Sequence, residues 1–202
     1  MHNKNKEWII YTKSDIKNNI DSYPNIKHHL DKYSDIITSD NKPYGLHRAR
    51  NEEFFKGEKI ISLRKNHQPC FTYTDFDCYV TQTFYSIKPH TFNLKYLTAL
   101  LNSKLIAFWL RYKGKMQGNN YQIDKEPLVN IPIINTPEKT VNLLSNMVAE
   151  ILDKKSKNED TLHLEQEIDN IIYRLYNLTY DNVKIIDDKF PLSQQEYESI
   201  AI

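Results

Sequence analysis

The sequence predicts an α+β protein: a mixed α/β body of short strands and one long buried helix, followed by a C-terminal helical hairpin. Three observations carry this. Four short runs rich in β-branched and aromatic residues, KIISL (59–63), CFTY (70–73), CYVTQ (78–82) and FYSIK (84–88), crowd the middle of the chain. From Leu94 to Tyr112 the residues Leu94, Leu97, Leu101, Leu105 and Phe108 recur at steps of three and four, widened by Leu100 and Trp109. Beyond Pro137 the apolar pattern is helical throughout.

Taken in order, Pro24 suits the first turn of a helix reaching about Ile37, with Asp21 or Ser22 just before it. Ile26, Leu30, Tyr33 and Ile37 give that helix one apolar face. A polar turn, TSDNKPYG, ends at Gly45, and the β-like runs follow, with TDFD expected to close a hairpin between the second and third. Asn93 is the expected N-cap of the long helix and Gly114 its terminator. VNIPII (129–134) reads as a strand, placed at an edge by Pro132. Thr136 and Pro137 then form an N-cap followed by proline at the first helical position. Val141, Leu144, Val148 and Ile151 make one stripe, Ile168, Ile171, Ile172 and Leu175 a second, and the polar break KKSKNED between them predicts an antiparallel pair. Ser193 and Glu196 have capping-box spacing for a last short helix. The patterns divide the chain near Asn135, into residues 1–135 and 136–202.

The 202 residues fit one or two domains, since domains run to roughly 100–200 residues. Cys70 and Cys78 have neither zinc spacing nor the number for a disulfide framework, so free thiols in a reducing cytoplasm are expected. No secretory leader is visible, and Lys95, Asn102, Lys104 and Arg111 exclude the longest apolar stretch as a membrane span. The net charge of +1 is unevenly spread: residues 150–202 hold six Lys and Arg against twelve Asp and Glu, leaving +7 on residues 1–149. A basic body with an acidic tail suits a polyanion-binding surface.

Motifs of catalysis are missing. The chain has no GxGxxG, P-loop, HExxH or paired CxxC, and without a Pro-Pro dipeptide it has no Asn-Pro-Pro-Tyr. Its Asp-x-Lys triplets sit on no strand with an acidic partner, and adjacent His28 and His29 fall on different helix faces. Neither catalysis nor a metal is expected within the chain.

Two basic clusters remain. The first, Lys42 to Lys65, carries seven Lys and Arg against three Glu, interleaved with aromatic rings. Tyr44, His47, Arg48, Arg50, Arg64 and Lys65 are its candidate contacts, arginine being both a reader of guanine edges and a phosphate ligand. The second is YKGKMQGNNYQIDKEPL, which holds two of the four glycines. Here Lys113 and Lys115 suit phosphates, while Gln117, Asn119, Asn120 and Gln122 suit adenine edges, with Tyr121 among them. From the residues alone two main alternatives stay open, beside a degenerate nuclease that would cut with a metal. One is a nucleic-acid reader; the other is a protein–protein adaptor working through the helical hairpin, its basic clusters ordinary surface.

The order of segments then resembles a known family. YPNIKHHLDKY, KPYGLHRAR with FFKGEKIISLRK, and YLTALLNSKLIAFWLRYKGKMQGNNYQIDKEPLVNIPI are similar to the TaqI-like C-terminal specificity domain of type IIG restriction–modification enzymes, LLNSKL being the most specific stretch. IDNIIYRLYNLTYDNVKII resembles the helix that ends many of these proteins. The resemblance implies a non-catalytic C-terminal part that reads a short double-stranded DNA sequence for an adenine-N6 methyltransferase. S-adenosylmethionine and Mg2+ would then be needed only in the N-terminal methyltransferase and nuclease domains, which would be partners of this chain. No membrane partner is implied.

Overall fold

The computed structural model describes residues 8–37, 43–46, 48–89 and 91–201. They fall into two compact units, one within residues 8–54 and the other within 55–201. The architecture is α+β, with short antiparallel sheets and a helical C-terminal part.

In the first unit, α1 (Ser14–Asn18) leads through a single 3-10 turn, Ile20–Ser22, into α2 (Pro24–Asp31). Pro24 opens α2 as expected, because its missing N–H falls where the helix has no acceptor to offer. The helix stops at Asp31, short of the expected Ile37, and the chain continues in turns. The phenol of Tyr11 ties this unit together. It donates to the Arg50 carbonyl at 2.9 Å and accepts from the Arg50 N–H at 2.6 Å.

In the second unit, β1 (Lys59–Leu63) is the middle strand of a sheet ordered β3-β1-β4, where β3 is Phe71–Thr74 and β4 is Phe84–Ile87. Both neighbours are antiparallel to β1, so β3 and β4 do not pair with each other. The register sets Ile60 beside Tyr73 and Ile87, and Ser62 beside Phe71 and Tyr85. Opposed residues share a face, and this face carries the apolar side of the sheet into the core. CYVTQ is not a strand, and TDFD closes no hairpin. That segment's groups are taken elsewhere: Cys78 N–H bonds the Phe55 carbonyl, Tyr79 stacks on Phe55, and the buried Lys59 ammonium holds the carbonyls of Gly57 and Phe76. Lys59 therefore leaves the basic cluster that the sequence put it in.

The long helix expected from Leu94 to Tyr112 is two helices, α3 (Leu94–Asn102) and α4 (Lys104–Lys113). Ser103 breaks it with extended backbone, φ −66° and ψ 152°, and its hydroxyl caps α4 by accepting from Ile106 N–H. Asn102 fixes the break in space. Its amide accepts from Phe71 N–H at 2.9 Å and donates to the Phe71 carbonyl at 2.7 Å and to that of Thr98 at 2.9 Å. α3 is buried around most of its circumference because β1 and β3 pack against it, as does α6 (Glu138–Ser156). Asn93 caps α3 as expected, accepting from the N–H groups of Lys95 and Tyr96.

After α4 come β5 (Lys115–Gln117), β6 (Asn120–Gln122) and α5 (Lys125–Val129). The stretch 129–134 is not a strand: Tyr176 donates to the Pro132 carbonyl at 2.6 Å, Thr136 bonds the Tyr96 hydroxyl, and Ile131 is buried. Thr136 thus spends its hydroxyl on Tyr96 and Ile134 rather than on capping α6.

α6 and α7 (Leu162–Leu175) pack against one another, and their apolar stripes lie in the same core as α3. α8 (Tyr180–Ile186) and α9 (Gln194–Glu198) each begin with a reciprocal capping box, Thr179 with Asn182 and Ser193 with Glu196. Tyr173, Val183, Phe190 and Tyr197 form a small core of their own there. Among the described residues no helix is long and apolar enough to cross a membrane.

Lys104, at the start of α4, reaches both C-terminal acids. Its N–H donates to Asp169 at 2.8 Å and its ammonium pairs with Asp187. Burial lifts the Asp169 carboxyl to about 6, against the opposing pull of that N–H. Above this value the folded chain carries a buried charge; between about 4 and 6 it binds a proton that the unfolded chain has released. Stability therefore falls as pH rises through that window and is level above it. Asp169→Asn keeps the acceptor for Lys104 and should flatten the slope, leaving the variant about 1–2 kcal/mol more stable than wild type at pH 8 by urea denaturation. An unchanged slope would contradict this account. Asn102→Ala orphans both backbone groups of Phe71 and should cost about 2–3 kcal/mol in the same assay.

Candidate nucleic-acid interface

The glycine-containing loop after α4 is a β-hairpin. Gly114 ends α4 because only a glycine fits there: a Cβ would lie 2.4 Å from the Leu110 carbonyl oxygen. Gly118 takes φ +58° at the first position of the two-residue turn joining β5 to β6, where a side chain would be strained. So the two glycines build a turn and a helix end, not slack.

A third strand completes this second sheet, ordered β2-β6-β5, with β2 at Lys65–Asn66. Arg64 is the crossing point between the sheets. Its N–H bonds the Thr83 carbonyl beside β4, and its own carbonyl accepts from Ile123 N–H just beyond β6. The chain thus leaves one sheet and enters the other within a single residue, and the amide-rich hairpin is anchored to the core sheet.

Register then sorts the side chains. Lys65 lies opposite Gln122, which lies opposite Lys115, and Asn120 lies opposite Gln117. Opposed residues and those two apart share a face, so all five stand on one side of the sheet. With strands about 4.8 Å apart, the three-residue row spans about 10 Å. Lys65, Lys115 and Gln117 are exposed; Asn120 and Gln122 are half-buried. Tyr121 falls on the opposite side with Asn66 and Met116 and packs against the core. Asn119 stands exposed at the turn and Lys113 exposed at the end of α4.

Arg64 and Asp124 extend the polar face. The Arg64 guanidinium lies over the Tyr85 ring, 5.1 Å from its centre, with Nη2 3.9 Å from Asp124 Oδ1. Lys115 Nζ lies 3.5 Å from Asp124 Oδ2, and Gln122 Nε2 donates to both oxygens of the same carboxylate at 3.2 and 3.3 Å. Asp124 was not among the residues singled out from the sequence. Its signal was present, because a residue two positions beyond Gln122 on extended chain shares its face.

The remaining candidates belong to the other unit. Arg48 and Arg50 are exposed, and among the described residues neither guanidinium is held in an ion pair; Glu52 pairs with Lys13 at 2.7 Å. Tyr44 donates to Asp31 Oδ1 at 2.7 Å, which raises its pKa. His47 lies outside the described residues. His28 and His29 are both exposed, and both cysteines are free. Among the described residues no group of three or more His, Cys, Asp and Glu side chains is placed to hold a metal ion.

The second unit therefore presents a sheet face of lysines and amides: donors for an anion beside paired donors and acceptors for polar edges. A family model for the TaqI-like C-terminal specificity domain matches residues 4–133, and the chain belongs to that family. It is also similar to two type II methyltransferases of Haemophilus influenzae. M.HincII is 30% identical over 169 residues, which cover 71% of this chain and 34% of that protein. M.HindII is 30% identical over 132 residues, covering 58% of this chain and 25% of that protein. The chain thus spans a quarter to a third of the length of these curated relatives.

The hairpin geometry is testable without a ligand. Gly118→Ala meets no atom and should cost about 1 kcal/mol for its positive φ alone. Gly114→Ala drives a methyl into backbone and should cost more. Equal urea midpoints for the two variants would contradict the helix-end role of Gly114.

Proposed function

We propose that this chain reads the target sequence for a type IIG restriction–modification enzyme, recognising a short double-stranded DNA site on behalf of an adenine-N6 methyltransferase. The observation that carries the proposal is the single face on which Lys65, Gln122, Lys115, Gln117 and Asn120 stand together. B-DNA's major groove is about 12 Å wide and admits a two-stranded ribbon. The β5–β6 hairpin is such a ribbon, tipped by Gly118 and Asn119. In this role Gln117, Asn119, Asn120 and Gln122 meet base edges while Arg64, Lys65, Lys113 and Lys115 hold phosphates, which position the protein and set the salt dependence. Arg48, Arg50 and Tyr44, in the other unit, are candidate DNA contacts in their own right. Family membership and the methyltransferase relatives support the same conclusion.

In this account S-adenosylmethionine and Mg2+ serve the catalytic parts of the parent enzyme, in the cytoplasm, and this chain neither methylates nor cuts. An adaptor working through exposed apolar helix stripes has less to stand on, since the stripes of α6 and α7 are largely spent on the chain's own core.

Selection from a pool of random duplexes, at low and moderate salt, tests the proposal. Wild type should enrich one short motif. Gln117→Ala/Asn119→Ala should lose it, and each phosphate-contacting lysine removed should lower the salt slope by about 0.9. Retention of duplexes that is indifferent to both sets of changes would overturn the assignment of this face.

A further inference from the structure

Asp124 stands at the N-cap of α5, where an aspartate ordinarily accepts a hydrogen bond from the first turn of its helix. It makes no such bond. Its carboxylate, 24% exposed, turns instead to the sheet face, where it gathers Gln122, Lys115 and Arg64. The helix forgoes a local stabilisation, and three side chains of the polar face gain a common anchor.

We infer that Asp124 is a positioning residue for base reading: it fixes the sense of the Gln122 amide so that this side chain reads an adenine. The inference rests on the DNA-recognition role proposed above. A glutamine amide has two N–H groups and one oxygen. The carboxylate accepts from the nitrogen end and repels the oxygen end, so the amide cannot flip without placing oxygen against oxygen. One N–H is thereby engaged. With the carboxylate on the N–H trans to Oε1, the other N–H and the Oε1 remain side by side, a donor and an acceptor matching N7 and the N6 amino group of adenine. Without the anchor the amide rotates freely and either end meets the groove.

The same carboxylate has a second effect. It lies within 4 Å of two cations on a surface that faces a polyanion, and so lowers the attraction to any DNA. That attraction is common to matched and unmatched duplexes, so it cancels from the specificity ratio and sets only how tightly both are held. Asp124 thus acts in two ways, by orienting the reader and by restraining the general attraction.

The two effects separate in two variants of the full chain. Asp124→Ala removes both charge and acceptor. Asp124→Asn removes the charge but keeps an oxygen for Gln122. Each variant, with wild type and Gln122→Leu, would be put through duplex selection, then titrated with the selected site, with single-base variants of it and with an unrelated duplex. Thermal melting would accompany each to report on the fold. Wild type should prefer adenine at one position by about tenfold, within what one paired amide contact supplies. Gln122→Leu and Asp124→Ala should both lose preference at that same position, while Asp124→Asn should keep most of it. Both Asp124 variants should bind the unrelated duplex several-fold more tightly at low salt. Undiminished adenine preference in Asp124→Ala and Gln122→Leu would overturn the inference while leaving DNA recognition standing. A uniform loss across all duplexes, tracking a lower melting temperature, would reduce Asp124 to a structural part. Wild type that retains no duplex would instead overturn the functional proposal beneath it.

Discussion

The second unit of this protein depends on the joint at Asn102, Ser103 and Lys104. A continuous helix from Leu94 to Lys113 would satisfy the apolar periodicity, yet three polar side chains in succession make the break more favourable. Asn102 supplies the end of β3 with a donor and an acceptor, Ser103 caps the new helix, and Lys104 gives its N–H to Asp169 and its ammonium to Asp187. Each residue satisfies groups that would otherwise be buried without partners. Because of the break, α3 stays between the first sheet and α6, while α4 carries its far end, and the hairpin after it, in a direction of its own.

That direction has a use. Arg64 passes the chain from the core sheet into the second sheet, so the hairpin built after α4 is paired with a strand continuous with the core. A recognition surface needs its reading groups held by rigid elements, since misplaced amides lose the geometry that discriminates one base from another. Here the glycines shape the turn and the helix end, and the ladder to Lys65 and Asn66 holds the hairpin in register. The buried Lys59 serves the same end on the other side of β1 by fastening the irregular segment that follows β3.

Much of this was legible in the sequence. Propensity and periodicity found β1, β3, β4, α3, α6, α7 and the cap of α9, because each has a strong local signal. CYVTQ and VNIPII have strand-forming side chains yet form no strand, for one reason: those side chains say nothing of where the backbone groups bond, and the partners lie far along the chain, at Phe55 and at Tyr176. The break at Ser103 escaped because an apolar stripe runs through it, although Asn-Ser is a pair that favours caps over helix interiors. For the candidate face, the residue types were legible and the arrangement was not. Alternation within the hairpin put Gln122 and Asn120 on one side, but only the pairing of β6 with both β2 and β5 brings Lys65 beside them and turns Tyr121 away. LLNSKL, the stretch on which the resemblance rests most, is explained as structure: it contains the joint at Asn102, Ser103 and Lys104.

In the proposed role, the lysine and amide face of the second sheet meets the DNA. The most direct measurement is an amide-resolved NMR titration of the isotope-labelled chain with a duplex carrying its selected site. The account predicts that the largest perturbations fall on Lys65, Asn66 and residues 113–124, with α6 and α7 little changed. Perturbations concentrated on α6 and α7, with the hairpin silent, would contradict it.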